Sequence, residues 1–201
     1  MRQGDCLTLL HLCLIASTCN PFELEKLTPR LLPPPRVVKP AKKQTDNTWP
    51  QAASFPEGLE GTGRNKGDVA YDFTLKDQFG DKVQLYQFYG SVIVLDIFTG
   101  WCEPCQDAAP DNQKGYEKYK DDGLVVIGLM QESASGAANV QAAKNWTDTY
   151  GLTHPVLADP SYTQDDYAVL GYPTVVVIDR EMKVVEPDLW PVSFSKIESY
   201  L

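Results

Sequence analysis

The stretch Val92 to Thr99 (Val-Ile-Val-Leu-Asp-Ile-Phe-Thr) constrains the fold more than any other part of the chain. A short, nearly continuous run of apolar and β-branched residues suits a strand buried on both faces. Such strands occur where helices cover both sides of a sheet. The run leads into Gly100-Trp101-Cys102-Glu103-Pro104-Cys105, and a helical pattern follows from about Glu103 to Tyr119. A strand therefore delivers a Cys-x-x-Cys pair to the first turn of a helix.

The flanking sequence completes an α/β unit. Phe73 to Lys76 and Lys82 to Leu85 flank Asp77-Gln78-Phe79-Gly80-Asp81 and predict a hairpin. After the first long helix come a strand at Leu124 to Met130, a helix at Ala137 to Tyr150 and a short strand at Pro155 to Ala158. A helical segment near Thr163 to Leu170, strands at Thr174 to Asp179 and Lys183 to Val185, and a last helix from about Phe194 follow. The expected fold class is α/β, a central mixed sheet flanked by helices.

Placement gives the two cysteines different chemistry. Unpaired N–H groups and the helix dipole favour a thiolate at Cys102, so Cys102 is the expected nucleophile and Cys105 the resolving thiol. Pro104 needs no N–H in the first helical turn. Glu103, exposed between the cysteines, suits the dipole but slightly opposes the thiolate, and should tune the potential. A zinc site is the main rival for a lone Cys-x-x-Cys, and it lacks ligands: beyond the N-terminal segment the chain has His154 alone. His154 reads as a loop residue rather than a ligand, and no metal is expected. Asp96 lies inside the buried strand, where an acid is costly unless neutralised or paired.

Three of the five cysteines lie near the N-terminus. Arg2, the apolar run Cys6 to Ile15 and small residues before Cys19 have the layout of an export signal over residues 1–18. Ile15-Ala16-Ser17-Thr18-Cys19 resembles a bacterial lipobox, which makes Cys19 the candidate lipidation site, with plain secretion as the alternative. The apolar run is too short to span a bilayer as a helix. Residues 19–66 read as a Pro-rich, basic tether, and 67–201 as the folded domain. The tether is a solvated spacer, with contact of Arg36, Lys39, Lys42 and Lys43 to anionic lipid as the alternative. Residues 51–201 carry eleven Lys or Arg against twenty-three Asp or Glu, with no basic patch, which argues against nucleic acid as a partner.

Residues 68 to 201 resemble the thioredoxin superfamily, in particular its TlpA/ResA-like (redoxin, AhpC/TSA type) branch of exported, often membrane-anchored disulfide reductases. The resemblance rests on Asp72-Phe73-Thr74-Leu75 with the added hairpin, the strand running into Trp101-Cys102-Glu103-Pro104-Cys105, and Gly171-Tyr172-Pro173-Thr174 before a Val-rich strand. It implies a thioredoxin-like fold and a cis bond before Pro173, with the Tyr172 backbone binding an extended client. Thioredoxins themselves carry an acid at the place of Asp96, which implies a proton-relay role behind the disulfide, against a structural hydrogen bond or an outward side chain, whereas the TlpA/ResA-like branch more often has Asn there. Trp101 packs beside the disulfide or is an ordinary core tryptophan. Relatives commonly carry Glu three residues after the second cysteine, where this chain has Ala108 with Asp107 one place earlier. Glu132-Ser133 resembles a pair found in that branch and equally fits a surface turn.

The expected activity is reduction or exchange of disulfides in protein clients, apocytochrome c among the candidates. The expected site is the bacterial cell envelope or periplasm, with a membrane electron donor and no cofactor beyond the Cys102–Cys105 disulfide. Two alternatives stay open. Thr99, three residues before Cys102, imitates a peroxiredoxin motif, although Leu95 stands where those enzymes have proline and no Arg occurs between Lys66 and Arg180. A metal-handling relative would need a well-placed histidine.

Overall fold

The computed structural model describes residues 38–40, 47–161 and 163–201, all within the unit Val37–Leu201. Cys19 and the signal segment lie outside the described residues. Strands β1 (Val38–Pro40) and β2 (Ser54–Pro56) form a separate antiparallel pair. The remaining elements in chain order are β3 (Thr74–Asp77), β4 (Lys82–Gln84), β5 (Val92–Thr99), α1 (Glu103–Tyr119), β6 (Leu124–Ser133), β7 (Gly136–Ala137), α2 (Val140–Tyr150), β8 (Val156–Ala158), β9 (Thr174–Ile178), β10 (Val184–Glu186) and α3 (Phe194–Ile197).

The main sheet is mixed, in the order β10-β9-β5-β6-β8-β3-β4, with β7 paired to β6. β5, β6 and β8 run parallel, while β9, β10, β3 and β4 join antiparallel. All eight residues of β5 are buried, as a central strand covered on both faces requires. Its side chains alternate between two layers. Ile93, Leu95 and Ile97 enter a core with Phe73, Leu85, Tyr86 and Phe88. On the other face Val92 and Val94 meet Tyr119 and Ile197, and Phe98 meets Cys102, Cys105 and Trp146.

The start of the second long helix differs from the sequence expectation. α2 begins at Val140 because Gly136–Ala137 is used as strand β7 and Asn139 caps the helix, its side chain accepting from Ala142 N at 3.0 Å. The helix ends at Tyr150, as expected, and the Gly151 that follows has a φ of +64°, which suits a residue without a Cβ. The last helix is short and passes into a 3-10 turn at Glu198–Tyr200.

The largest difference concerns the tether, which does not continue to residue 66. The Asp77 carboxylate is fully buried and must be paired. It accepts from Phe79 N and Asp81 N on one oxygen, and from Trp49 Nε1 at 2.7 Å on the other. Asn47 is buried as well, donating to Lys82 O at 2.7 Å and to Gln87 Oε1 at 3.0 Å. Trp49 and Leu59 pack on the first core. Residues 47–66 thus belong to the folded unit, held by polar partners 28 to 40 residues away.

Candidate active site

β5 ends at Thr99, and the chain turns through Gly100 and Trp101 into α1. Two bonds hold the turn: Gly100 N donates to Glu132 O at 2.7 Å, and Gln106 Nε2 donates to Gly100 O at 3.0 Å. Cys102 is the N-cap of α1, and its Sγ accepts from Cys105 N at 3.3 Å. A backbone donor aimed at that sulfur favours its thiolate once the disulfide is reduced. Pro104 lies in the first turn, where no N–H is required. Cys102 and Cys105 are disulfide-bonded, with their Cα atoms 5.3 Å apart, and both are buried.

The peptide bond between Tyr172 and Pro173 is cis. Tyr172 packs against both the first core and the cluster that contains Cys102 and Cys105. Its ring meets Trp101 edge-on, with centroids 5.9 Å apart. Trp101 is 55 % exposed, so it is not a core residue. It stands at the surface, donating from Nε1 to Glu132 Oε2 at 2.8 Å. Glu132 therefore belongs to the site, whereas Ser133 bonds Gly136 O at 2.9 Å and serves the turn.

Asp96 projects from the middle of β5 toward α1. Its Oδ2 accepts from Asn112 Nδ2 at 2.7 Å, and its Oδ1 is buried without a partner among the described residues. Burial pushes the carboxyl up to about 7, and the Asn112 hydrogen bond opposes that rise. An acid that changes charge near neutral pH can hold or release a proton. The outward-facing alternative for Asp96 does not hold.

Two cavities flank α1 and the cis-proline loop. One, of about 390 Å³, is lined by Pro104, Ala108, Asn112, Trp190 and Phe194, with the acids Glu103, Asp107 and Asp111 around it. The other, of about 470 Å³, is lined by Arg64, Leu170, Tyr172, Pro173 and Trp190. Leu170 is fully exposed and Trp190 is 42 % exposed, an apolar surface beside the site. Sequence reasoning did not find Arg64, Asn112, Leu170 or Trp190. A polar residue at a core position of α1 was the available signal for Asn112; the others had none, since loops bring them in.

His154 lies in a bend before β8, as expected of a loop residue, yet it is buried. Burial lowers its pKa to about 4. Its Nδ1 is 3.3 Å from Pro155 O, and its ring meets Tyr116 edge-on. Among the described residues no three His, Cys, Asp or Glu side chains group as a metal-ligand set. Also among the described residues, no helix is long and apolar enough to cross a membrane. Thr99 is fully buried.

The family model described as AhpC/TSA family matches residues 66–186. The thioredoxin-like protein YneN of Bacillus subtilis (strain 168) is 33% identical over 119 residues, 59% of this chain and 68% of that protein. The thiol-disulfide oxidoreductase ResA of Bacillus thuringiensis (strain Al Hakam) is 32% identical over 136 residues, 67% of this chain and 76% of that protein. Among solved structures, a crystal structure described as a thiol:disulfide interchange protein DsbE from Chlorobium tepidum superposes with a TM-score of 0.58 at 31% identity, covering 68% of this chain and 94% of that one.

Proposed function

The chain belongs to the AhpC/TSA family and is a thioredoxin-like thiol-disulfide oxidoreductase, and from that premise we propose that it reduces or exchanges disulfides of protein clients outside the cytoplasm. The observation that carries this reading is the Cys102–Cys105 disulfide at the start of α1, within the same site as the cis Tyr172-Pro173 bond.

In the reducing direction the Cys102 thiolate attacks one sulfur of a client disulfide, forming a mixed disulfide and releasing one client thiolate. Cys105 then gives its proton to Asp96 and attacks Cys102 Sγ. That step restores the Cys102–Cys105 disulfide and releases the second client thiolate, so two electrons have passed from protein to client. The extended client lies along the Tyr172 backbone, flanked by the exposed faces of Trp101, Leu170 and Trp190. Glu103 tunes the potential from the helix start. A membrane electron donor returns the dithiol form.

The export signal over residues 1–18 and the lipobox-like Cys19 support a location in the cell envelope or periplasm, lipid-anchored through Cys19. Apocytochrome c cysteines are candidate clients. Peroxide reduction is the weaker reading: Thr99 is its one supporting residue, and Arg180 is committed to Gly90 O, Asp122 O and Leu201 O, at the end of the sheet away from Cys102.

The test is the equilibrium reduction potential of the Cys102/Cys105 pair in glutathione and dithiothreitol buffers, read by peptide mapping, with Cys102→Ser as the control. A value near that of thioredoxin, about −270 mV, supports a reductase, and one near about −120 mV an oxidant of folding proteins. If no exchangeable disulfide forms, the proposal fails.

A further inference from the structure

Along α1 the buried positions are Cys105, Ala109, Asn112, Gly115 and Tyr119, one face of the helix. An apolar residue is the default at such a position, because a buried amide costs free energy unless it is hydrogen-bonded. Asn112 lies seven residues beyond Cys105, about two turns along the same helix. It is 3 % exposed and donates to Asp96 Oδ2 at 2.7 Å. No other side chain bonds this carboxylate among the described residues. Its register neighbours across β5 are Val175 on β9 and Gly128 on β6, neither of them titratable.

We propose that Asn112 is a positioning residue for the thiol chemistry: its amide hydrogen bond orients the Asp96 carboxylate as the acceptor for the proton of Cys105. The inference rests on the proposed reading of Asp96 as that acceptor. One helix thereby carries both the thiol that loses the proton and the amide that prepares its acceptor.

The unpaired atoms give the pair its poise. Asp96 Oδ1 and Asn112 Oδ1 are both buried without a partner among the described residues. Two buried acceptors without a donor favour a proton on Asp96, as burial itself does. The Asn112 N–H acts in the opposite sense, because a donor to the carboxylate favours its charged form. Burial is the larger of these opposing influences and the Asn112 hydrogen bond the smaller. Asn112 also lines the cavity of about 390 Å³ beside α1. The acids of that cavity, Glu103, Asp107 and Asp111, lie on α1. The influences on the Asp96 carboxyl are burial and then the Asn112 hydrogen bond, with no contribution from these acids. The remaining titratable groups of the α1 N-terminus near the site, Cys102 and Cys105, are tied in the disulfide.

The experiment uses the full chain with Cys6→Ser, Cys13→Ser and Cys19→Ser to silence the other thiols. Two quantities are followed from pH 5 to 9: the ¹³C carboxyl shift of Asp96 in the oxidised protein, and the rate at which the Cys102–glutathione mixed disulfide releases glutathione. Asn112→Leu removes the donor and is expected to raise the Asp96 midpoint by about one unit, slowing release about tenfold on the acid side of the profile. Asn112→Asp keeps the shape but sets a second carboxylate beside the first, and should raise the midpoint further. Circular dichroism checks that both variants fold, and the near-isosteric Asn112→Asp variant decides the matter if Asn112→Leu does not fold. A folded variant that titrates Asp96 at the wild-type midpoint overturns the inference and leaves the redox reading intact. If Asp96→Asn leaves the pH profile of release unchanged, the relay role of Asp96 falls and the inference with it. A wild-type protein that forms no exchangeable disulfide sinks the proposed function itself.

Discussion

Replacing Asp96 by Asn should stabilise the oxidised protein at pH 8 and leave it nearly unchanged at pH 4. The carboxyl ionises at about 7 in the folded chain, against an ordinary value of 3.8 for an exposed one. Below 3.8 both states hold the proton, and the stability linked to this group is fully present. As pH rises the unfolded chain ionises first, so that stability declines and is lost once the pH has passed through about 7. A difference of about three units corresponds to roughly 4 kcal/mol. An asparagine at this position stays neutral throughout, and its side-chain oxygen still accepts from Asn112 Nδ2. The Asp96→Asn protein should therefore gain little at pH 4 and roughly 4 kcal/mol at pH 8. Urea unfolding at half-unit pH steps from about 4 to about 8.5 measures the difference. A gain of the same size at both ends would refute the reasoning, since it would come from packing and not from a buried charge.

His154 supplies the opposite slope. Its pKa falls from 6.5 to about 4 on burial, so its contribution is present above pH 6.5 and lost as pH falls through about 4, roughly 3 kcal/mol in all. His154→Leu should remove that loss, and the same urea series will show less acid destabilisation than in the wild type. Between pH 4 and 6.5 the two groups oppose each other, so each single variant should expose a slope that the wild type conceals. Gly115 lies under Phe194, where a Cβ would come within 2.2 Å of the ring. Gly115→Ala should therefore cost about 1–3 kcal/mol despite alanine's better helix propensity, as a lowered melting temperature will show. Cys105→Ser should stall exchange at the mixed disulfide, leaving a model client covalently bound to Cys102 on a non-reducing gel, while the wild type releases it.

Much of this protein is legible in one dimension. The period and length of Val92–Thr99 specify a doubly covered strand, and the residues that follow specify a helix whose first turn holds both cysteines. Local chemistry decides those features: backbone donors at a helix start, a proline that needs no N–H, and burial of a continuous apolar run. For the same reason the α1 bounds Glu103 and Tyr119 were readable, and the acid in β5 stood out as needing a partner. The partner itself was not readable, because Asn112 reaches Asp96 only when α1 lies across β5, sixteen residues away in sequence. Trp101 reads as a buried aromatic next to cysteines, but the tertiary turn sends it outward to Glu132 and Tyr172. Residues 47–66 look like spacer because Pro-rich composition reports local stiffness and not distant contacts. Asn47 and Trp49 join the domain through groups that fold against them from β3, β4 and the turn after it. The sequence by itself determined the reactive pair and the strand and helix that present it, since those depend on neighbours in the chain. Only the tertiary structure decided which side chains tune the pair and where the folded unit begins, since both depend on buried polar groups finding partners far along the chain.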